Sequence, residues 1–370
     1  MADPVTTQGI SAALNENTPS SRSLYPQLPP ISEDRLRSSL TDQTCPGELP
    51  PDPQALEAAS KKDQTYLYLA YGSNLAFSTF QGVRGVKPLA ALNVVVPSLV
   101  LTFDLAGFPY TEPCFANTAH RSPSSNPASS EEEKTPLLPD CSDPDWPKGL
   151  VGVVYEVTPH DYAHIIATEG GGASYHDVLV TCHPLPPSSA TVPQHPDTPP
   201  FKAHTLFAPN LPPKEGGSYR RPDPEYAQAS RRYLDLLITG AKEHGLPDEY
   251  REYLDALQPY TITTRGQRMG RFVLTVTWVP VLRAVFMIGK RFSDEGGRSP
   301  PWLVRLLGSV FVGIWATYDL ILKPVFGDGE RTIEKKGGET NGQSERRRRR
   351  KLVKRRKDGV GEKAGWVDDV

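Results

Sequence analysis

At 370 residues, with 38 prolines, 30 glycines and long Ser- and Pro-rich tracts, the chain reads as one packed domain with long additions rather than two full domains. Its four cysteines, Cys45, Cys114, Cys141 and Cys182, are far apart and form no C-x-x-C pair, and the N-terminus has no apolar leader-like run. These features exclude a disulfide framework and a cysteine zinc site, and point to a reduced, cytoplasmic setting. The formal net charge of −2 conceals a basic run, RRRRRKLVKRRK at 346–357, with ten basic residues in twelve, so the remainder is acidic. Such a run is a solvated tail, an import signal or an anionic-lipid contact, and it specifies no nucleic acid partner.

In chain order, residues 1–62 mix Ser, Pro, Asp and Glu without a sustained apolar period and read as disordered. A strand begins at Tyr66, where YLYLA alternates at a period of two and runs into Tyr71-Gly72-Ser73-Asn74-Leu75. A second β-rich run, VVVPSLVLTF at 94–103, carries Pro97, which suits an edge strand or a bulge. The acidic, low-complexity stretch at 120–147 reads as a surface insertion, after which GLVGVVYEV resumes the strand pattern. In TPHDYAHIIATEGGG, Thr158 can cap a short helix, Pro159 suits its first position and the glycines stop it.

ASYHDVLVTC and FKAHTLFA add two strands around a Pro- and Ser-rich loop at 184–200. The fold class expected is α+β, a small mixed, mainly antiparallel β-barrel with flanking helices. Two amphipathic helices follow, the first with Asp223 as cap, Tyr226, Ala229 and Tyr233 on one face and Gly245 as stop, the second carrying Tyr250 and Leu254. They close a domain spanning 63–265. The hydrophobic region 266–326 is interrupted by Pro280 and Arg283, and has only thirteen uncharged residues between Arg305 and Asp319, short of the roughly 20 that cross a bilayer. With Trp278, Trp302 and Trp315 it suits helices lying in a membrane interface, or a helical pair folded against the barrel. Residues 327–370 read as a disordered basic tail.

A Gly-Ser-Asn turn at a strand end can aim backbone N–H groups, a hydroxyl and an amide at one point, forming a cradle for a carboxylate or oxyanion. On its own it is an ordinary turn. YLYLAYGSNL, GVVYEVTP, the short helix running into Glu169-Gly170, and DPEY followed by GAKEHGLPDEY, in that order, closely resemble the γ-glutamylcyclotransferases over about residues 63–260. The resemblance implies that family's barrel fold and its reaction, in which a substrate's own α-amine attacks its γ-carbonyl to give 5-oxoproline and a free amine. By the same resemblance Tyr71, Gly72, Ser73, Asn74 and Leu75 form the substrate-binding loop, Glu169 is the acid/base carboxylate, and Tyr226 contacts substrate through its hydroxyl. The helix C-terminus independently favours a raised Glu169 pKa, which suits proton transfer. No metal or organic cofactor is implied, because the nucleophile belongs to the substrate.

Other constellations are weaker. His160 and His164 share a helix face without a third ligand, Ser73 lacks a nucleophile elbow, and GGGAS at 170–174 lacks the lysine of a phosphate loop. Two alternatives stay open: a non-catalytic membrane-tethered protein on the same fold, and a cyclotransferase acting on glutathione or a glutathione-derived conjugate. The residues after Y-G-S differ from those of glutathione-specific relatives, which favours γ-glutamyl dipeptides. The added regions suggest location, placing the enzyme peripherally on a cytosol-facing, anionic membrane.

Overall fold

The computed structural model describes residues 28–42, 65–121, 140–141, 146–168, 176–186, 189–208, 221, 223, 226–292 and 301–333. Its centre is a closed five-stranded barrel. The strands are β1 (Tyr66–Ala70), β2 (Ala90–Val96), β3 (Leu99–Phe108), β4 (Glu112–Arg121), β5 (Asp140–Cys141), β6 (Leu150–Val157), β7 (His176–Pro184) and β8 (Phe201–Phe207). Around the barrel the order is β1-β6-β2-β7-β8, antiparallel throughout except where β8 meets β1 in parallel, with Tyr68 opposite His204. Side chains on the inner face fill the barrel while those on the outer face lie under helices. YLYLA and LVGVVYEV are therefore buried on both faces for almost their whole length.

The run at 94–103 is two strands rather than one. Pro97 and Ser98 form a turn between β2, in the barrel, and β3, which pairs with β4 in a second, three-stranded sheet completed by β5. Pro97 itself lies in the turn, where no ladder hydrogen bond is lost, while β3 beyond it is an edge strand of its sheet with a register shift between Thr102 and Leu105. The sequence EPCFANTAHR of β4 carries no alternating signal because its polar residues are buried and bonded. Thr118 Oγ1 donates to the Val100 carbonyl at 2.9 Å, and the Asn117 amide binds the Ala208 backbone through both its oxygen and its nitrogen.

Part of the N-terminal region is ordered, contrary to expectation. Ser32 caps a short helix, α1 (Glu33–Ser38). The Arg35 guanidinium donates to the Thr65 carbonyl at 2.7 Å, the Ala91 N–H donates to Pro29 O, and the Lys202 N–H donates to Ser39 Oγ. Ile31 is buried in the main core. A handful of directed bonds anchors a stretch too polar to collapse alone. The rest of 1–62, most of the 120–147 insertion and the basic run at 346–357 lie outside the described residues.

Helix α2 (Pro159–Thr168) starts as read, with Thr158 Oγ1 accepting from the Asp161 N–H at 3.1 Å. The first closing helix, α3 (Arg231–Glu243), begins later than read: Ser230 rather than Asp223 is its cap, accepting from the Tyr233 N–H at 3.1 Å. Residues 226–229 precede it in irregular backbone held from both sides, where the Gln228 N–H donates to Glu330 O and the Tyr260 N–H donates to Ala229 O. Helix α4 (Asp248–Ala256) completes the pair.

The hydrophobic region forms two helices, α5 (Arg265–Phe292) and α6 (Pro301–Thr317), the latter continuing through a π-helical turn, Tyr318–Leu322, to Lys323–Phe326. Pro280 and Arg283 lie within a continuous α5, so the interruptions seen in the sequence do not divide it. By length and composition alone, Arg265–Gly289 and Arg305–Phe326 could each cross a membrane. The helices build a second core from Leu274, Val310, Ile314, Trp315 and Tyr318, seated on Ala106 and Tyr110 of the β3–β4 hairpin. Residues 327–333, expected to open the disordered tail, instead strap back onto the domain: the Tyr110 N–H donates to Gly329 O, and Thr263 Oγ1 donates to Ile333 O.

Candidate active site

The loop after β1 lies at one end of the barrel, and nearly every neighbour acts to hold it. Tyr71 is buried and its hydroxyl donates to the Leu206 carbonyl of β8 at 2.8 Å. Ser73–Leu75 forms a single 3-10 turn, closed by the Leu75 N–H to Gly72 O and the Ala76 N–H to Ser73 O. The Asn74 side chain is turned inward, its Nδ2 donating to the Tyr68 hydroxyl at 2.9 Å, and Leu75 is in the core. The Gly72 and Ser73 amides and the Ser73 hydroxyl take no part in these bonds. They are the donors this turn has to offer a ligand.

Helix α3 clamps the loop from behind. A Cβ at Gly240 would stand 2.4 Å from the Leu75 carbonyl carbon and 2.6 Å from the Ala76 nitrogen, so only glycine lets the helix approach this closely. One turn on, the Glu243 carboxylate accepts from the Phe77 N–H at 2.7 Å, and burial raises its pKa. His244 shares a hydrogen bond with the Leu75 backbone, and its Nε2 lies 2.7 Å from the Tyr155 hydroxyl, which in turn lies 3.4 Å from the Asn74 carbonyl oxygen. Burial lowers the His244 pKa to about 4, so a neutral imidazole braces the loop at neutral pH.

At its other end α3 supplies a tyrosine for which no substrate contact was expected. The Tyr233 hydroxyl accepts from the Ala116 N–H at 3.2 Å and lies 3.2 Å from where a Gly72 Cβ would be, directly over the turn. Tyr226 is differently engaged: its hydroxyl donates to Asp328, and the Lys323 ammonium sits 4.7 Å from its ring centroid, in the cluster that joins the C-terminal strap to the domain. Ser230 is the signal that separates the two tyrosines, because a helix capped there carries Tyr233 in its first turn.

Glu169 lies outside the described residues, but the elements around it are informative. With Tyr68 opposite His204, Phe207 comes level with Tyr71, and His176 at the start of β7 pairs with Phe207. His176, at the start of β7, therefore stands at the Tyr71 end of the barrel. Nearby, His204 Nδ1 is 3.0 Å from the Asp177 carboxylate, and the His204 ring packs against Tyr66 and Tyr162. Among the described residues no three His, Cys, Asp or Glu side chains gather where they could hold a metal; His164 instead has its Nε2 2.9 Å from the Arg84 carbonyl oxygen.

A braced turn with unspent amides and a hydroxyl, overlooked by a tyrosine, has the donors to receive an anionic or carbonyl oxygen. The chain is 32% identical over 264 residues to the gamma-glutamyl cyclotransferase gliK of Aspergillus fumigatus, covering 71% of this chain and 88% of that one. It is 28% identical over 275 residues to the gamma-glutamyl cyclotransferase aclK of Aspergillus oryzae, covering 73% and 91%. Residues 264–325, which contain the whole of α5 and α6, match the family model described as the AclK C-terminal domain. Among solved structures, a gamma-glutamyl cyclotransferase is similar at 18% identity and a TM-score of 0.36, over 55% of this chain and 93% of that one. A glutathione-specific yeast cyclotransferase is similar at 14% identity and a TM-score of 0.29, over 52% and 94%. The chain belongs to the γ-glutamyl cyclotransferase family, of the fungal gliK and aclK type.

Proposed function

We propose that this protein converts a γ-glutamyl amide into 5-oxoproline and a free amine, with Glu169 moving the proton. The α-ammonium gives one proton to solvent, and the resulting amine attacks the γ-carbonyl carbon to form the ring C–N bond as the Glu169 carboxylate takes a second proton from the attacking nitrogen. The C–N bond to the leaving group then breaks as Glu169 returns the proton to the departing amine. Both reacting groups belong to one molecule, so the enzyme's main task is to fold it until they are about 3 Å apart, which can remove several kcal/mol of barrier.

The observation that carries this reading is the braced Tyr71–Leu75 turn, at the barrel end to which β7 returns the chain after Glu169. The Gly72 and Ser73 amides suit the glutamyl carboxylate or the developing oxyanion. Tyr233, rather than Tyr226, is the tyrosine we assign to the substrate side, because its hydroxyl overlooks Gly72.

The test is 5-oxoproline release from γ-glutamyl-alanine and from glutathione by the full chain and by Glu169→Gln. Release that falls at least about a hundredfold in the variant supports the assignment, in line with loss of an acid/base group. Equal rates would remove Glu169 from the reaction. Binding of 5-oxoproline without turnover of either compound would favour the non-catalytic alternative.

A further inference from the structure

One side of α5 is buried: Gln267, Gly270, Leu274 and Val285 face the strap, the hairpin tip and α6. On the opposite side Phe272, Val276, Val279, Arg283 and Phe286 follow at steps of four, three, four and three, a single line along the helix. Phe272 is 63% exposed and Phe286 55%. Only 11% of the most apolar window of α5 is buried, so this is not the core helix of a soluble domain. Trp302, Leu306 and Leu320 extend an exposed apolar surface along α6 and its continuation.

Charge decides what covers this surface. Helix α5 carries six basic residues and no acidic one. The one acidic residue in 301–326, Asp319, is held by Arg221 at 2.9 Å. Among the described residues no ion pair takes up Arg268, Arg271 or Arg283. A second copy pairing through the same stripe would set arginine against arginine with no carboxylate to answer it. Aromatic and aliphatic side chains interleaved with arginines on one face instead match an anionic bilayer surface, with the rings among the headgroups and the guanidiniums on the phosphates.

Depth follows from where the charges fall. The start of α5 and the end of the α6 continuation meet, since a Cβ at Gly266 would stand 2.7 Å from the Phe326 carbonyl oxygen, so the two helices form a hairpin whose base lies beside Tyr110 of the β3–β4 hairpin. Arg283 divides the outer stripe of α5, and the uncharged run from Arg305 to Asp319 is thirteen residues, against the roughly 20 a crossing needs. We propose that the α5–α6 hairpin docks the protein on an anionic membrane by lying in the headgroup region, stripe downward, without crossing.

The test is co-sedimentation of the full chain with vesicles of phosphatidylcholine, alone or mixed with phosphatidylserine, beside a double variant, Phe272→Asp with Phe286→Asp. The expected result is binding to the mixed vesicles that weakens with salt and falls at least about tenfold in the double variant. The variant's unfolding temperature should be unchanged, because both side chains are exposed. The run at 346–357 is intact in both proteins, so its contribution cancels. Equal binding to both vesicle types, or no loss in the variant, would overturn the proposal. So would a dimer in lipid-free buffer that the variant dissociates. Resistance of the bound chain to alkaline carbonate extraction would overturn the surface geometry in favour of a crossing.

Discussion

Position 240 shows how little room the Tyr71–Leu75 turn is given. An added methyl must displace the Leu75–Ala76 backbone or the helix behind it, so Gly240→Ala should cost about 1–3 kcal/mol of stability as an overpacked contact. A shift of that turn by a fraction of an ångström should also lower kcat/KM at least about tenfold, which steady-state kinetics on the folded variant would read. Tyr233→Phe removes one neutral hydrogen bond, about 1 kcal/mol, so it should leave the unfolding temperature within a few degrees while lowering kcat/KM by about tenfold or more. An unchanged kcat/KM would take Tyr233 out of the site. His244 gives a pH signature. Its pKa is about 4 in the folded protein against an ordinary 6.5, so the unfolded chain binds the extra proton first as pH falls. Stability from this group is therefore complete above about pH 6.5 and lost between there and pH 4, by up to about 3 kcal/mol; His244→Gln should flatten that part of the profile in pH-dependent denaturation. At this scale the tight turn after β1 was legible as structure, because Gly72-Ser73-Asn74 at a strand end restricts what can form there. Tyr233 was not, since two tyrosines seven residues apart share a helical face and only the Ser230 cap tells which lies in the helix.

The same cap sets the start of an element on which the site depends. Ser230→Ala should cost about 1 kcal/mol by removing the acceptor for the Tyr233 N–H, a loss measurable as a shift in denaturation midpoint. Among the barrel strands β1 could be read from its period of two and β6 from a nearly continuous apolar run, and α2 because Thr158 and Pro159 mark its start. β4 could not, as buried Asn117 and Thr118 look like loop residues until their backbone partners are known. Residues 28–42 were missed for a related reason: composition predicts whether a segment can collapse, while this stretch is held by Arg35, Ser39 and the Pro29 carbonyl at addresses on the barrel. Removing residues 1–42 should accordingly uncover the core beside Ile31 and lower the unfolding temperature, and Arg35→Ala should reproduce part of that loss.

Across the whole molecule, Arg221 ties the hydrophobic hairpin to the barrel domain. Its side chain, 9% exposed, pairs with Asp319 at the base of the hairpin and with Glu330 of the strap, which is 1% exposed, and its guanidinium lies 4.3 Å from the Trp315 ring centroid. Truncating it would leave Glu330 buried without its main partner, a loss of about 3–5 kcal/mol, and should open residues 301–333 to hydrogen exchange before the barrel. The strap also engages Tyr226, so the added C-terminal region and the family core are built as one body. None of this was legible in 327–333, where Asp328 and Glu330 look like ordinary solvated acids and only their burial against Tyr226, Lys323 and Arg221 gives them a role.

The claim on which the rest depends is that the substrate's own amine is the nucleophile. The most direct measurement is product analysis by mass spectrometry after the full chain acts in heavy-oxygen water on γ-glutamyl-alanine isotopically labelled at its α-nitrogen. The account predicts 5-oxoproline that keeps the labelled nitrogen in its ring and takes up no heavy oxygen, together with unlabelled alanine. Glutamate carrying heavy oxygen would mean that water, directly or through Ser73, attacks the carbonyl, and would contradict it.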